Sequence, residues 1–303
     1  MNVLVTGGAG FIGSNLVDEL IKLGHKVIVI DNESSDASEE FYWNKLSDNH
    51  VLDICDYNSI RPLFNDVDVV FHLAAEARIQ PTLTNPILAA KTNTLGTCII
   101  LQCAREAGVK RVIYSSTSSA YGLKNKIPNV ETMQKDCLNP YSVTKTSGEE
   151  LCKMFTDLFG LETVTFRYFN VYGERQPIKG QYAPVVGIFL RQKNAEEPMT
   201  IVGDGEQRRD FIHVSDVVNA NILASDLNNK KVSGELFNIG SGKNYSINEI
   251  ADMFGGEKQY GNQVIEPFET LAETAKIDLD LNFQPKKDLK QWISTYIEQN
   301  STE

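Results

Sequence analysis

Tyr141 and Lys145 stand four residues apart in Tyr141-Ser142-Val143-Thr144-Lys145, just after Asn139-Pro140. On a helix that spacing sets both side chains on one face. An ammonium beside a phenol favours the phenolate and lowers its pKa. The pair therefore predicts a tyrosine that acts as a general base near neutral pH. A lone Tyr-x-x-x-Lys is also what an ordinary surface helix carries, so a second group has to be found. Ser115-Ser116-Thr117 supplies it at the end of the apolar run Arg111–Ser115. Hydroxyls at the carboxyl edge of a parallel strand sit where ligands bind in open α/β sheets. One of them can hydrogen-bond the same substrate oxygen as Tyr141.

A phosphate-binding turn lies near the N-terminus. Gly7-Gly8-Ala9-Gly10-Phe11-Ile12-Gly13 follows the strand-like Val3–Thr6 and opens a helix-like stretch, Phe11–Leu23. Glycine at positions 7, 10 and 13 lets the backbone turn tightly and approach a pyrophosphate at a helix N-terminus. The second apolar run, Lys26–Asp31, ends in a carboxylate 18 positions after Gly13. A carboxylate there accepts hydrogen bonds from an adenosine ribose and repels a 2′-phosphate, which points to NAD rather than NADP. Asn32 adds a neutral polar group beside it, and Asp53-Ile54 is placed to contact the adenine or simply to form a turn.

These groups need a frame. Short apolar β-branched runs (Val3–Thr6, Lys26–Asp31, Asp68–Leu73, Arg111–Ser115, Glu162–Tyr168) alternate with longer helical stretches at Phe11–Leu23, Tyr57–Phe64, Leu88–Ala107 and Tyr141–Phe159. That alternation predicts βαβ units and a doubly wound parallel sheet of Rossmann type, class α/β. After Asn170 the chain is more irregular through Gly205. A helix is expected near Pro184–Asn194 and a strand at Met199–Val202. Strand–helix–strand behaviour resumes over Asp210–Ile239, and helices follow at Ile247–Phe254 and Lys287–Ile297. We read a nucleotide-binding domain over 1–169, rejoined by 210–240, and a smaller substrate lobe from 170–209 and 241–303.

Composition narrows the class. The 303 residues carry a net charge of −11, which opposes binding to nucleic acid or an anionic membrane. Five cysteines without a Cys-x-x-Cys pair suggest free thiols in a reducing compartment, and four scattered histidines suggest no metal centre. No leader-like or membrane-length apolar segment stands out, so a cytoplasmic address is expected.

The motifs Thr6–Gly13, His72-Leu73-Ala74-Ala75, Asn93-Thr94-Leu95-Gly96-Thr97, Tyr141-x-x-x-Lys145, Arg167–Gly173 and Arg209–Val214 together resemble the extended short-chain dehydrogenase/reductase family. Within it the chain is most similar to the UDP-glucose and UDP-N-acetylglucosamine 4-epimerases. The resemblance spans residues 1 to about 242. It implies Thr117, Tyr141 and Lys145 as the catalytic group. It implies coenzyme contacts from Gly7, Gly10, Phe11, Ile12, Gly13, Asp31, Asn32, Asp53, Ile54, Leu73, Ala74, Ala75, Asn93, Ser115, Tyr141, Lys145, Tyr168 and Phe169. Substrate contacts would come from Arg78, Thr117, Tyr141, Asn170, Tyr182, Val186 and Arg209, the last holding a diphosphate. The implied reaction is transient oxidation at C4 of a UDP-hexose, rotation of the 4-keto sugar and re-reduction.

The family's 4,6-dehydratases carry Asp-Glu after the catalytic Thr; here Ser118-Ser119 follow, which leaves no carboxyl for elimination. Decarboxylase and plain dehydrogenase chemistry remain open on the same scaffold, as does a non-catalytic NAD-binding regulator. One departure stands out. The family's second diphosphate arginine falls in Val264-Ile265-Glu266-Pro267-Phe268-Glu269, which has none. Arg175 or Arg208 is the expected substitute. The apolar helices Leu88–Ala107 and Tyr141–Phe159 resemble the pair that builds a homodimer interface in this family.

Overall fold

The structure, a computed structural model, describes residues 1–35, 40–178 and 183–300. Seven parallel strands form the main sheet: β1 (Asn2–Thr6), β2 (Lys26–Asp31), β3 (Asp48–Val51), β4 (Val69–His72), β5 (Arg111–Thr117), β6 (Glu162–Tyr168) and, much later, β10 (Glu235–Ile239). Their order across the sheet is β10-β6-β5-β4-β1-β2-β3. The order reverses at β1, which pairs with β2 on one side and β4 on the other. The crevice outside the carboxyl ends of such strands is where ligands bind. Strand β3 was not expected from the sequence. It is an edge strand built from Asp48-Asn49-His50-Val51, so no apolar run marks it.

The smaller elements form the lobe: β7 (Asn170–Tyr172), β8 (Met199–Val202), β9 (Arg208–His213), β11 (Asn244–Ser246) and β12 (Lys258–Gly261). They make a three-stranded sheet, β11-β9-β7, and a two-stranded sheet, β12-β8. The helices Val185–Asn194, Ile247–Phe254 and Leu289–Asn300 cover them. Phe189, Phe254, Ile250, Leu289 and Ile293 close that lobe's own core.

The last hundred residues are shared between the halves. Ile277, Leu281 and Phe283 pack into the core of the main sheet, beside Phe237 and Ile239, whereas Leu289 and Ile293 return to the lobe. Residues 275–283 thus belong by packing to the nucleotide-binding half, in contrast to the expected single span 241–303.

Local rules explain the helix that carries the tyrosine. Asn139 caps the Pro140–Phe159 helix by accepting from the Ser142 amide at 2.9 Å, and the Ser142 hydroxyl accepts from the Asn139 amide. Pro140 opens the first turn and Gly160, at φ 70°, closes the last. The helical run Pro86–Ala107 has 22 residues and is long and apolar enough by length and composition to cross a membrane. Its buried face carries Asn93 and Thr97 into the polar interior of the site, as a core helix does. Residues Ala90–Gly96 within it form a π-helical turn, a distortion often found at functional sites.

Candidate active site

Gly7 ends β1 at φ 69°, and a Cβ there would lie 2.7 Å from the Ala74 amide nitrogen. A Cβ on Gly13 would strike the Gly7 carbonyl. Loop, first helix and the turn after β4 are therefore packed backbone to backbone, which only glycine allows. Phe11 and Ile12 begin the helix, with Gly10 as an N-cap that offers its first turn no side-chain acceptor. Asp31 accepts from the Ala9 amide at 3.1 Å and from the Glu33 amide at 2.9 Å. Burial pushes its carboxyl above the usual range, and those amides oppose the rise. This cradle fits a dinucleotide: a tight glycine turn, a free helix N-terminus and a carboxylate at the end of β2.

A buried polar chain joins the cradle to the catalytic helix, and the sequence reading missed most of it. Thr6 Oγ1 meets His72 Nδ1 at 2.7 Å, and His72 Nε2 meets Thr97 Oγ1 at 2.9 Å. Thr97 donates to the Asn93 carbonyl at 2.6 Å, so it accepts from His72. The imidazole therefore carries its proton on Nε2, while Thr6 donates to Nδ1 and accepts from the Ala74 amide. Burial holds the His72 imidazole down to about 3, so it stays neutral. Asn93 pairs with both backbone groups of Glu76 and donates to Thr144 Oγ1 at 3.0 Å. Leu73, Ala74 and Ala75 are thereby fixed between the glycine loop and the helix of Tyr141.

The catalytic candidates converge. The Thr117 hydroxyl and the Arg78 guanidinium both lie close enough to the Tyr141 phenol to favour the phenolate. Burial raises the Tyr141 phenol above its ordinary value, and those two contacts oppose the rise. Lys145 is only 3% exposed, with its ammonium 4.4 Å from the centre of the Tyr114 ring. Burial pushes Lys145 down to about 7. This corrects one expectation. In the protein alone, Thr117 and Arg78 are the groups that oppose the rise of the phenol, and Lys145 itself is short of solvation. Arg78 is half-buried and its own pKa is lowered by burial, so it is not an ordinary surface arginine.

Ser115 donates to the Tyr168 hydroxyl at 3.0 Å, which also receives Asn221 at 2.8 Å. Tyr168 is a tyrosine of the sheet core that fixes Ser115, with its hydroxyl already committed. Phe169 is buried against Tyr121 and Ala272. Ile54 is buried in the nucleotide-domain core, Asp53 pairs with Lys91 at 3.3 Å, and Asn32 is exposed and bonded to Ser34.

The substrate side is built differently. Asn170 donates to the Asp210 carbonyl at 2.7 Å. Arg209 is held by Glu266 at 2.7 Å and donates to the carbonyls of Arg208 and Phe268. Val186 has no exposed surface and lies inside the lobe core, which corrects its expected place as a pocket-lining contact; it shapes the lobe from behind. Tyr182 lies outside the described residues. The expected substitutes for the missing arginine are both engaged: Arg175 with Asp18 at 2.6 Å, and Arg208 with Glu249 at 2.9 Å. Asp210, unassigned from sequence, is fully buried and accepts from Ser241 (2.7 Å to its amide), Gly242 (3.1 Å) and Ala272 (3.0 Å). Burial pushes its carboxyl up to about 6. Among the described residues no group of histidine, cysteine and carboxylate side chains is placed to hold a metal, and all five cysteines are free.

A seven-stranded dinucleotide cradle with a Thr–Tyr–Lys group at its carboxyl edge defines an extended short-chain dehydrogenase/reductase. The chain belongs to the NAD dependent epimerase/dehydratase family, whose model matches residues 3–240. It is 36% identical over 303 residues to a putative UDP-glucose 4-epimerase of Methanocaldococcus jannaschii, covering 97% of both chains. It is 42% identical over 257 residues to a UDP-N-acetyl-alpha-D-glucosaminuronate decarboxylase of Bacillus cytotoxicus, covering 82% of this chain and 77% of that one. The solved UDP-glucose 4-epimerase of Thermotoga maritima, with UDP-glucose, matches at a TM-score of 0.93 and 36% identity over the full length of both chains. Other solved relatives were captured with NAD. The protein is an NAD-dependent enzyme of this family.

Proposed function

We propose that the chain is a UDP-hexose 4-epimerase. The observation that carries this is the convergence of Thr117 and Arg78 on the buried Tyr141 phenol, with serines at 118 and 119. The phenol is equipped to take and return one hydroxyl proton, and the strand end offers no second acid for elimination. Bound NAD would supply hydride acceptance and return at C4. Tyr141 takes the proton of the sugar 4-hydroxyl, while Thr117 holds the same oxygen. Arg78 favours the phenolate during that exchange. Arg209 anchors the diphosphate, so that the 4-keto sugar turns about a fixed nucleotide end.

A second reading rests on Arg78. A desolvated guanidinium at the reacting end also fits a uronic acid carboxylate, as in a glucuronate epimerase or a decarboxylase. Incubation without added coenzyme with UDP-glucose, UDP-N-acetylglucosamine and UDP-glucuronate, followed by NMR of the sugars, separates these. Formation of the galacto-epimer of either neutral sugar supports the first reading. Conversion of UDP-glucuronate alone, or loss of its carboxyl as carbon dioxide, moves the assignment to the second. No conversion of any, with NAD added, removes both.

The same reading makes the protein a cytoplasmic homodimer. Supporting it, Leu83, Ile87 and Leu95 along the helical segments Ile79–Gly96, and Val143 on the Pro140–Phe159 helix, are at least half exposed. Light scattering on the purified protein tests this, and a mass near 34 kDa would refute it.

A further inference from the structure

Glu149 lies one helical turn beyond Lys145 on the Pro140–Phe159 helix and is 5% exposed. It is a heavily bonded carboxylate behind the site. Its Oε1 accepts from Ser116 Oγ at 2.6 Å and from Arg167 Nε at 2.9 Å. Its Oε2 accepts from Arg167 Nη2 at 2.8 Å and faces Lys135 Nζ at 3.0 Å. Arg167 is itself buried on β6 and lies over the Tyr121 ring, 4.7 Å from its centre. A buried ion pair of this kind is a poor source of net stability, because desolvation offsets the attraction. Its place suggests another use. Ser116 immediately precedes Thr117, so the carboxylate grips the strand end that aims the catalytic hydroxyl.

We infer that Glu149 is a positioning residue for the reaction, fixing Thr117 through Ser116 and placing a fixed negative charge one helical turn from Lys145 that favours its ammonium form. The inference rests on Tyr141 and Lys145 as the working pair. The groups around Lys145 are few. Cys152 and Glu149 share its helix, Tyr114 comes from β5, and His72, held neutral, comes from β4. Burial pushes both the Cys152 thiol and the Tyr114 phenol upward, so both are neutral at pH 7. Around Glu149 stand Arg167 from β6 and Lys135 from the preceding loop. Glu149 is thus the one full negative charge acting on Lys145 among these groups. Burial works against it, and the Arg167 and Ser116 contacts hold its carboxyl below the usual range, so it is ionised at neutral pH.

The test is a direct titration of Lys145 by NMR of lysine-labelled, NAD-loaded protein, comparing wild type with Glu149→Gln. A Lys145→Met variant assigns the signal. Removing the charge should lower the Lys145 pKa by about 1. In any assay the protein supports, the alkaline limb of kcat should move to lower pH by the same amount while KM stays within about two-fold. Ser116→Ala should reduce kcat by roughly three-fold without moving that limb. Glu149→Asp should restore the limb. If Glu149→Gln does not fold, Glu149→Gln with Arg167→Met removes both buried charges, and the Lys145 pKa should again fall. An unchanged Lys145 pKa in whichever variant is folded overturns the inference. The titration needs no substrate, so failure of the UDP-sugar assignment leaves it readable.

Discussion

The coenzyme half and the substrate lobe hold their polar groups in contrasting ways. In the first, Thr6, His72 and Thr97 satisfy one another through side chains set by adjacent strands and one helix, and the Asn93 carbonyl accepts the last proton. These four residues are paired before any ligand arrives, so this part of the cradle is preorganised. In the lobe, Arg209 is paired with Glu266, a carboxylate from a loop far along the chain. That pair is partly exposed on the Glu266 side and is made of groups that an anionic ligand would compete for. The difference teaches that one half is built to keep its ligand and the other to exchange it.

The comparison can be broken in four places. Tyr141→Phe removes the proton carrier, and kcat should fall about 1,000-fold with NAD content unchanged by absorbance of the denatured extract. Retained activity would show that the half thought rigid does not hold the base. Arg209→Ala should raise KM for a UDP-sugar roughly 10- to 100-fold with kcat little altered, measured by steady-state kinetics. An equal loss in kcat would place Arg209 in the chemistry instead. Glu266→Gln frees the same guanidinium, and UDP binding by calorimetry should tighten by about two- to five-fold. Weaker binding would mean that Glu266 aligns Arg209 for its ligand.

The smallest effect concerns Asp210, where the halves meet. Its folded pKa of about 6 lies above the unfolded value of 3.8, so the folded chain binds the extra proton between those pH values. Stability from this group therefore grows as pH falls through that window and is lost as pH rises. The Tm difference between wild type and Asp210→Asn should widen by a few degrees from pH 6.5 to pH 4.5. A constant difference would show that Asp210 does not titrate there.

What was legible in the sequence follows the same division. Gly7, Gly10, Gly13, Asp31, Thr117, Tyr141 and Lys145 sit at short, fixed spacings or at the ends of apolar runs. Local geometry alone brings each to the carboxyl edge of the sheet. Strand β3 escaped because an edge strand of polar residues carries no alternation. Val186 was misplaced because an apolar residue near a lobe helix reads the same whether it faces a pocket or the core. The Asp210 clasp was invisible because its partners Ser241 and Ala272 lie 31 and 62 residues away. Glu149 was visible as a helical residue, but its role depends on Ser116 and Arg167, which only strand pairing brings to it.

The path of the chain between the halves has a mechanical meaning. The polypeptide leaves the main sheet after β6, returns after β9, leaves again after β10, returns for residues 275–283 and leaves a final time for the last helix. Two bodies stitched by that many strands of covalent chain are joined by more than the packing between them. Such a seam makes the coenzyme half and the lobe one covalent fabric, so that each half's core is completed by chain that has already passed through the other.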